Sequence, residues 1–214
     1  LLDYEVQIAT NATFTVGLQP TLPVPTSATP NYDASGLING KTYYWRVRAR
    51  FGNIATPTFG AFSLVRNFKF DNVAPNAPLL TAPANKAILA AVRPTLAWAA
   101  VAGATSYRLD VDDDPNNDGV CDFLTLIKSD VLVTAPAVSY IIPAPGLAQG
   151  SYCWQVRAVD AAANTSANSL TRSFSIFIGT APANGAFAPT GKPPFAWAAA
   201  VSPTLGYDLE VSTD

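Results

Sequence analysis

The side chains with the most evident chemistry in this chain are carboxylates and amides crowded between positions 110 and 122, in the run DVDDDPNNDGVCD. Oxygen ligands recur at the spacing of a calcium-binding loop, with side chains at its positions 1, 3, 5 and 9 and a backbone carbonyl at position 7. In this chain they are Asp114, Asn116, Asp118, Asp122 and Val120. Gly119 falls at position 6, where such a loop turns sharply. The spacing therefore predicts a structural calcium (Ca2+) site.

Two further features of the run bear on cation binding. Six aspartates between Asp110 and Asp122 repel one another unless a cation neutralises them, which favours binding. Position 12 is Thr125 rather than the bidentate glutamate of an EF-hand, so one ligand is missing or comes from elsewhere. The run resembles the aspartate-rich calcium repeats of thrombospondin-type proteins. The alternative interpretation is a solvated acidic turn between two strands.

The chain has two cysteines, Cys121 beside the acidic run and Cys153 in a later strand. An even number of cysteines in one domain is typical of a disulfide in an oxidising compartment. Position 153 corresponds to Tyr44 in an earlier copy of the same strand and has outward parity. A disulfide would therefore tie the acidic loop to the outer face of a sheet, and two unrelated free thiols are the alternative.

Two asparagines fit the sequon for N-linked glycosylation, Asn11 in Asn-Ala-Thr and Asn164 in Asn-Thr-Ser, although so short a pattern also arises by chance. Enzyme chemistry finds less support. The chain has no histidine, which removes the commonest general base and metal ligand. The aspartates have no apolar pocket that would provide a general acid. We predict that the chain is not an enzyme.

Composition and charge limit the partners. The formal net charge is −2 and 13% of the residues are charged, so a basic surface for nucleic acid is not expected. The apolar runs are shorter than the roughly 18 residues of a membrane helix, so no membrane span is expected in this segment. The sequence has neither a methionine nor a recognisable leader, which favours a mature or excised piece.

The elements that position these residues are strands, because one strand motif occurs twice. KTYYWRVRAR, at positions 41–50, returns as SYCWQVRAV at 151–159. Apolar side chains take every second position, beginning with Tyr43 and Trp45 in the first copy and with Tyr152 and Trp154 in the second. Period two is typical of a strand that is buried on one face. A repeat within 214 residues predicts domains of about 100 residues each.

Other segments recur in the same order. TAPANKA (81–87) returns as TAPANGA (180–186), and each precedes a tryptophan-containing strand, PTLAWAA (94–100) or PPFAWAA (193–199). A Tyr-x-Leu-x-Val strand occurs at 107–111 and 207–211, and Leu2, Tyr4 and Val6 are assigned to its alternating positions. Inward parity predicts core packing, rather than sugar stacking, for all four tryptophans: Trp45, Trp98, Trp154 and Trp197.

The outward side chains of the first repeated strand are cationic. Arg46, Arg48 and Arg50 alternate with its apolar residues. We expect them to pair across the sheet with Asp3 and Glu5, because opposite charges on neighbouring strands stabilise one another. Ligand recognition by this row is the minor alternative.

Together these motifs resemble the fibronectin type III family, in the variant of bacterial and archaeal surface proteins. The resemblance rests on a tryptophan in the second strand, the Tyr-x-Leu-x-Val third strand, the turn formed by Leu147, Gly150 and Tyr152, and the Trp-x-Val-x-Ala continuation. It implies an all-β fold of tandem sandwiches, each of seven strands in two sheets. It also implies that Tyr43 and Tyr152 occupy the tyrosine corner of such sandwiches.

On this pattern the chain contains one complete sandwich and two partial ones. Residues 1–72 hold the third to last strands, residues 73–178 a complete domain with the Asp-rich insertion, and residues 179–214 the first three strands. A sandwich that lacks its first strands exposes core and sheet edges, which favours pairing with another chain. We expect the partial domains to be completed by neighbouring copies or by the continuing chain.

These features favour a structural repeat unit of an extracellular or cell-surface filament, surface array or adhesin stalk, with copies of itself as partners. The alternative is a non-catalytic accessory or carbohydrate-binding module of a secreted enzyme, with surface glycans as partners. Polymerisation would favour the first function. An exposed aromatic strip with measurable polysaccharide binding would favour the second.

Overall fold

The computed structural model describes residues 1–17, 23–25, 30–114, 120–124, 126–181, 195–197, 209 and 211. The secondary-structure elements in these residues are all β-strands, which confirms the all-β prediction. The chain divides into two compact units, Leu1–Val73 and Ala74–Asp214, called here the first and second units. The division into domains 1–72, 73–178 and 179–214 stays a prediction.

The described strands of the first unit form a single sheet. They are β1 (Asp3–Ala9), β2 (Pro23–Pro25), β3 (Thr42–Gly52), β4 (Pro57–Phe59) and β5 (Arg66–Lys69). Strand β1 lies between β2 and β3, and β3 also pairs with β4 and β5, with every pair antiparallel. Because side chains alternate along each strand, one face of this sheet is apolar and the other is charged.

The second unit contains a sandwich of two sheets. Its strands are β6 (Leu80–Ala82), β7 (Ala87–Leu89), β8 (Thr95–Trp98), β9 (Ala104–Asp113), β10 (Lys128–Thr134), β11 (Ser139–Ile141), β12 (Gly150–Asp160) and β13 (Arg172–Ile176). One sheet has the order β10-β9-β12-β13-β7 and the other β11-β8-β6. Side chains of both sheets meet in one core, where Leu96 and Trp98 pack with Leu109 and Val156.

The eight strands of this sandwich correspond to the seven that were expected, because β6 and β7 are two parts of one first strand that is divided between the sheets. Its first part, β6, pairs with β8 in the smaller sheet. Its second part, β7, runs parallel to β13 in the larger sheet. The chain changes sheets between Pro83 and Lys86, and Asn85 secures this crossing by accepting a hydrogen bond from the Ser173 backbone N–H.

The register of β1 corrects one sequence assignment. Tyr4 lies opposite Ala49 in β3, as Tyr107 lies opposite Ala158 in β12. Tyr4 is therefore the equivalent of Tyr107, whereas the sequence assignment placed Leu2 there. Both alignments keep the period of two, so alternation alone did not distinguish them.

In the second unit, every third residue of the segment 166–172 forms hydrogen bonds or pairs with β12. Ser166 and Ser169 donate their backbone N–H groups to the carbonyls of Ala158 and Val156. Their hydroxyls accept the N–H groups of the same two residues, at 2.8 and 3.1 Å. Arg172 continues this spacing as the residue opposite Trp154. Three residues of this segment thus advance along two residues of β12.

The first unit repeats this arrangement. Gly60 and Ser63 donate their N–H groups to the carbonyls of Ala49 and Val47, ahead of Arg66 in β5. The sequence runs AFSLVRNFKF (61–70) and LTRSFSIF (170–177) predict the last strands of the two units, whereas regular pairing covers only β5 and β13. In the first unit the predicted strand is too long because it includes Ser63, whose hydrogen bond belongs to the segment with a period of three.

The end of the chain is described at two short strands, β14 (Gly179–Ala181) and β15 (Ala196–Trp197). Gly179 lies opposite Trp197. Leu80 lies opposite Trp98 in the same way in the β6–β8 pair. The predicted third strand of this partial domain, including Tyr207, is described only at positions 209 and 211.

Candidate cation site and open sheet face

The outer face of the larger sheet in the second unit carries a row of aspartates on β9. Tyr107, Leu109 and Val111 turn inward and are at most 2% exposed. Asp110 and Asp112 alternate with them and therefore turn outward. Both are nonetheless buried, at 5% and 1% exposure, and Asp114 beyond the strand is also 1% exposed. A second layer of chain must therefore cover this side of the sheet.

A disulfide fastens that covering layer. Cys121 and Cys153 are joined, with their Cα atoms 6.0 Å apart, so the structure brings together the two predicted partners. Cys153 lies on β12 directly opposite Asp112, and it is fully buried. The Cys121 sulfur also lies 3.3 Å from the Asp113 carbonyl oxygen. The segment around Cys121 therefore lies against the part of the outer face where the buried aspartates are.

Asp110, at the other end of this row, is neutralised by arginine. The Arg157 guanidinium lies 3.1 Å from the Asp110 carboxylate and also pairs with Asp130. Arg108 lies 3.1 Å from the other oxygen of Asp130. The Asp110 carboxylate also accepts the Asp130 backbone N–H at 2.7 Å. This network supplies the positive charge and the hydrogen bonds that a buried carboxylate requires.

Asp112 has a different environment. Its Oδ2 atom accepts the Phe123 backbone N–H at 2.9 Å. Its Oδ1 atom is buried and has no hydrogen-bond partner among the described residues. Burial raises the pKa of the Asp112 carboxyl, and the negative charges of Asp113 and Asp122 add to this rise, whereas the backbone N–H groups of Phe123 and Asp113 oppose it in part. The site thus favours any change that removes the charge of Asp112 or balances it.

The predicted calcium ligands fall into two groups. The carboxylate of Asp114 is buried and lies within 4.8 Å of both disulfide sulfurs. Val120 is 72% exposed, and Asp122 is exposed and accepts the Leu124 N–H at 3.0 Å. The remaining positions, Asn116, Asp118, Gly119 and Thr125, lie outside the described residues. The calcium prediction stays untested, and Asp112, which sequence analysis did not single out, lies at its buried end.

The two predicted glycosylation sites use their side-chain amides within local turns. Asn11 donates its Nδ2 to the hydroxyls of Thr13 and Thr15, at 2.6 and 2.8 Å. Asn164 donates its Nδ2 to the Asp160 carboxylate at 2.9 Å. Glycosylation of Asn11 and Asn164 stays a prediction.

In the described part of the first unit, no second sheet lies over the apolar face, which is called here the open face. A cavity of about 660 Å3 lies on it, lined by core-face side chains such as Tyr4, Trp45 and Phe68 and by residues 30–34 and 37 of the segment before β3. Trp45 and Val47 are only half-buried. Their equivalents in the second unit, Trp154 and Val156, are 0% exposed beneath the second sheet. Equivalent core positions are therefore less buried in the first unit than in the second.

The opposite face of the same sheet is closed by its own side chains. The predicted pairing with the acidic residues of β1 is confirmed for two arginines: Arg48 lies 2.7 Å from Glu5, and Arg50 binds Asp3 through two hydrogen bonds. Arg46 instead donates to the Gln7 side-chain oxygen, at 2.7 and 2.9 Å. The hydrogen bonds from Arg50 hold the pKa of Asp3 below its usual value.

Phenylalanine rings alternate with the arginines on this face. The ring of Phe62 stands between Arg46 and Arg48, whose guanidinium carbons lie 3.9 and 4.3 Å from its centre. Phe14 lies on the far side of Arg46 at 4.0 Å, and Phe59 on the far side of Arg48 at 3.9 Å. The result is a cation–π stack that runs across the strands.

The tyrosine corners have the predicted residues. The Tyr152 hydroxyl donates to the Ala148 carbonyl at 2.9 Å. The Tyr43 hydroxyl accepts the Ile38 N–H, also at 2.9 Å. In both units the tyrosine thus fixes the turn that precedes the long central strand.

Comparisons with known proteins agree with this fold. The chain is similar to the FN1–FN3 domains of chicken CNTN1, with 14% identity and a TM-score of 0.53, over 81% of this chain and 56% of that one. It therefore spans about half the length of that structure. It is also similar to the Clostridium thermocellum CbhA fibronectin(III)-like modules, with 16% identity, a TM-score of 0.47 and coverage of 82% and 78%. No family model matches the sequence, and no curated protein matches it.

These likenesses concern the fold. The chain consists of tandem fibronectin type III-like β-sandwich units, as the sequence motifs indicated. Within the described residues, no helix has the length and apolar character needed to cross a membrane.

Proposed function

We propose that this chain is a non-catalytic structural repeat of an extracellular filament, surface array or adhesin stalk. The tandem sandwich fold supports a serial, load-bearing role. The disulfide in the second unit supports an oxidising, extracellular setting, because such bonds persist mainly outside the cytosol.

The open face of the first unit is the observation on which this proposal rests. The positions of Trp45 and Val47 are fully buried when a second sheet lies over them, as in the second unit. Here they border a cavity of about 660 Å3. Exposed apolar surface of this kind is typical of an interface. We infer that further strands cover this face in the working assembly.

The second unit contains a layer of the kind that would cover this face. Strands β6 and β8 carry Leu80, Leu96 and Trp98, each at most 3% exposed, into the core above β9 and β12. The β14–β15 pair has the same tryptophan register as the β6–β8 pair. Segments of this type, from a neighbouring copy or from the continuing chain, are the proposed occupants of the open face.

A fusion protein tests the proposal, and the register fixes its design. Because Tyr4 is equivalent to Tyr107, Leu1 is equivalent to Ala104. Residues 74–103 joined directly before Leu1 would therefore supply β6–β8 with the natural connection. We expect the 214-residue chain to bind a hydrophobic dye and to increase in apparent mass with concentration, and the fusion protein to show both properties less strongly, because only residues 179–214 then stay a partial domain.

The matched control is the same fusion protein with Leu96→Asp and Trp98→Asp in the added segment, which would leave the open face uncovered. Electron microscopy of the 214-residue chain would then separate ordered filaments from irregular association. The proposal would be contradicted if the 214-residue chain stayed monomeric at every concentration and bound no dye, and if the added segment did not raise the stability of the first unit in the fusion protein.

A carbohydrate-binding accessory role has weaker support. Phe51 and Phe59 are exposed, at 41% and 45%. They lie on opposite faces of the first sheet, because Phe59 pairs with Arg50 and Phe51 is the next residue of that strand. Arg48 also covers one face of the Phe59 ring. The two rings therefore do not form one platform on which sugar rings could stack.

A further inference from the structure

The second unit contains a buried carboxylate whose charge no described side chain balances. Asp112 is 1% exposed, and one of its oxygens has no hydrogen-bond partner among the described residues. No ion pair of the described residues ends on it, since the arginines of this face pair with Asp110 and Asp130. An ionised carboxylate is costly to bury without a counter-charge. Asp112 therefore needs either a proton or a cation.

We propose that Asp112 and Asp114 together bind Ca2+ beneath the disulfide-fastened segment of the second unit. The two residues have the same parity, and the Asp114 N–H extends the strand pairing by donating to Ser151. Their Cα atoms are about 6.6 Å apart, as in any strand at this spacing. Two carboxylates at this separation can share an ion with oxygen ligands at about 2.3–2.6 Å.

The chemistry of the surroundings favours calcium over softer metals. The sulfurs of Cys121 and Cys153 lie close to Asp114, but they are joined in a disulfide and are not thiolate ligands. The neighbouring donors are oxygen atoms, which hard cations prefer. Asp122 lies near enough to raise the pKa of Asp112 by its charge. A divalent ion would balance several carboxylates together, whereas a proton would neutralise only one.

This site differs from the loop predicted by spacing alone. Its centre is Asp112 on β9 together with Asp114 directly after that strand, and the charge of the exposed Asp122 acts on Asp112 from the covering segment. The Cys121–Cys153 disulfide holds that segment beside the pair. The chain therefore loses less conformational entropy when the ion binds. The inference concerns the second unit alone and does not depend on the proposed role in an array.

The test is a calcium titration of the full chain after treatment with a chelator. We expect CaCl2 to bind in the micromolar to millimolar range and to raise the unfolding temperature of the second unit by about 5 °C or more at tenfold excess over Kd. Asp112→Asn is expected to weaken binding more than tenfold. The same variant should unfold no earlier than the wild type without calcium, because it removes an unbalanced charge.

Asp113→Asn is the matched control, because it removes the same charge from an exposed neighbour of opposite parity. We expect its affinity to fall by no more than about threefold. Absence of calcium binding by the wild type would overturn the proposal. An Asp112→Asn variant with unchanged affinity would overturn it equally.

Discussion

At the scale of single residues, the aspartates of the second unit differ in their surroundings rather than in their type. Asp110 is paired with Arg157, and Asp112 is buried without a described cation. Asp160 follows a third pattern, because it organises the turn after β12. Its carboxylate accepts hydrogen bonds from the Ala162 and Asn164 backbone N–H groups and from the Asn164 amide. Each environment changes the free energy of the ionised form in its own way.

Asp160 should make the second unit sensitive to acid. The hydrogen bond from the Asn164 side chain, assisted by the backbone N–H groups of Asn164 and Ala162, holds the pKa of Asp160 below its usual value. The unfolded chain has the ordinary carboxyl pKa of about 3.9. The stabilisation is therefore complete above that pH and is lost as the pH falls through the lower folded pKa.

Thermal unfolding from pH 6 to pH 2.5 would check this. Asp160→Asn should be less stable than the wild type at pH 6, and the difference should narrow as the pH falls. Asp71→Asn is a charge-matched control outside this turn. A difference between Asp160→Asn and the wild type that stays constant over the whole range would contradict the stated role of the Asp160 carboxylate.

At the scale of elements, alternation and repeats predicted the long strands well. Trp45 and Trp154 correctly marked β3 and β12, because a core on one face imposes a period of two. The last strand of the first unit was predicted too long, because it included Ser63, which belongs to a segment whose backbone hydrogen bonds recur every third residue. The Leu2 assignment failed because a shift of two residues preserves parity.

Only part of the candidate cation site could be predicted from the sequence, because the rest depends on strand register and burial. The spacing of Asp114 and Asp122 matches a loop pattern, and the two cysteines suggested a disulfide. The burial of Asp112 depends on which strand faces it and on what covers that strand. Its position opposite Cys153 follows from the β9–β12 register, which composition does not determine.

The three-residue segment beside β12 should depend on its serine hydroxyls. Ser169 accepts the N–H of Val156, a fully buried residue, at 3.1 Å. Ser169→Ala removes this acceptor and should lower the free energy of unfolding by about 1–3 kcal/mol, since a buried donor is left unpaired. Denaturant unfolding would measure the loss. Asn168→Ala, at an exposed neighbour, should stay within about 0.5 kcal/mol of the wild type.

The disulfide should stabilise the second unit through its loop. Replacing both Cys121 and Cys153 by serine should lower its free energy of unfolding by on the order of 3 kcal/mol, because the bond restricts the unfolded chain between them. A reducing agent should destabilise the wild type similarly and should leave the double variant unchanged. Alkylation of both cysteines in the native, unreduced protein would contradict the bond itself.

At the scale of the whole molecule, the two units combine one sandwich motif with unequal burial. Both have the long central strand, the tyrosine at its entry and the three-residue segment beside it. The second unit closes its core between two sheets, whereas the described strands of the first form one sheet. A repeat of this kind derives much of its stability from the neighbouring segments that pack against its apolar face.

Equivalent substitutions should therefore have unequal costs in the two units. Trp154 is 0% exposed, and Trp154→Ala should cost about 3–5 kcal/mol because it removes packed surface and leaves a cavity. Trp45, at the same position of the first unit, borders the open face and is already half-buried, so Trp45→Ala should cost about half as much or less. Native-state hydrogen exchange resolves the two units separately and would measure both losses. Equal losses would mean that the face of Trp45 is already covered in solution. When residues 74–103 are fused before Leu1, the loss caused by Trp45→Ala should rise towards that of Trp154→Ala, because the added strands would then close the same core.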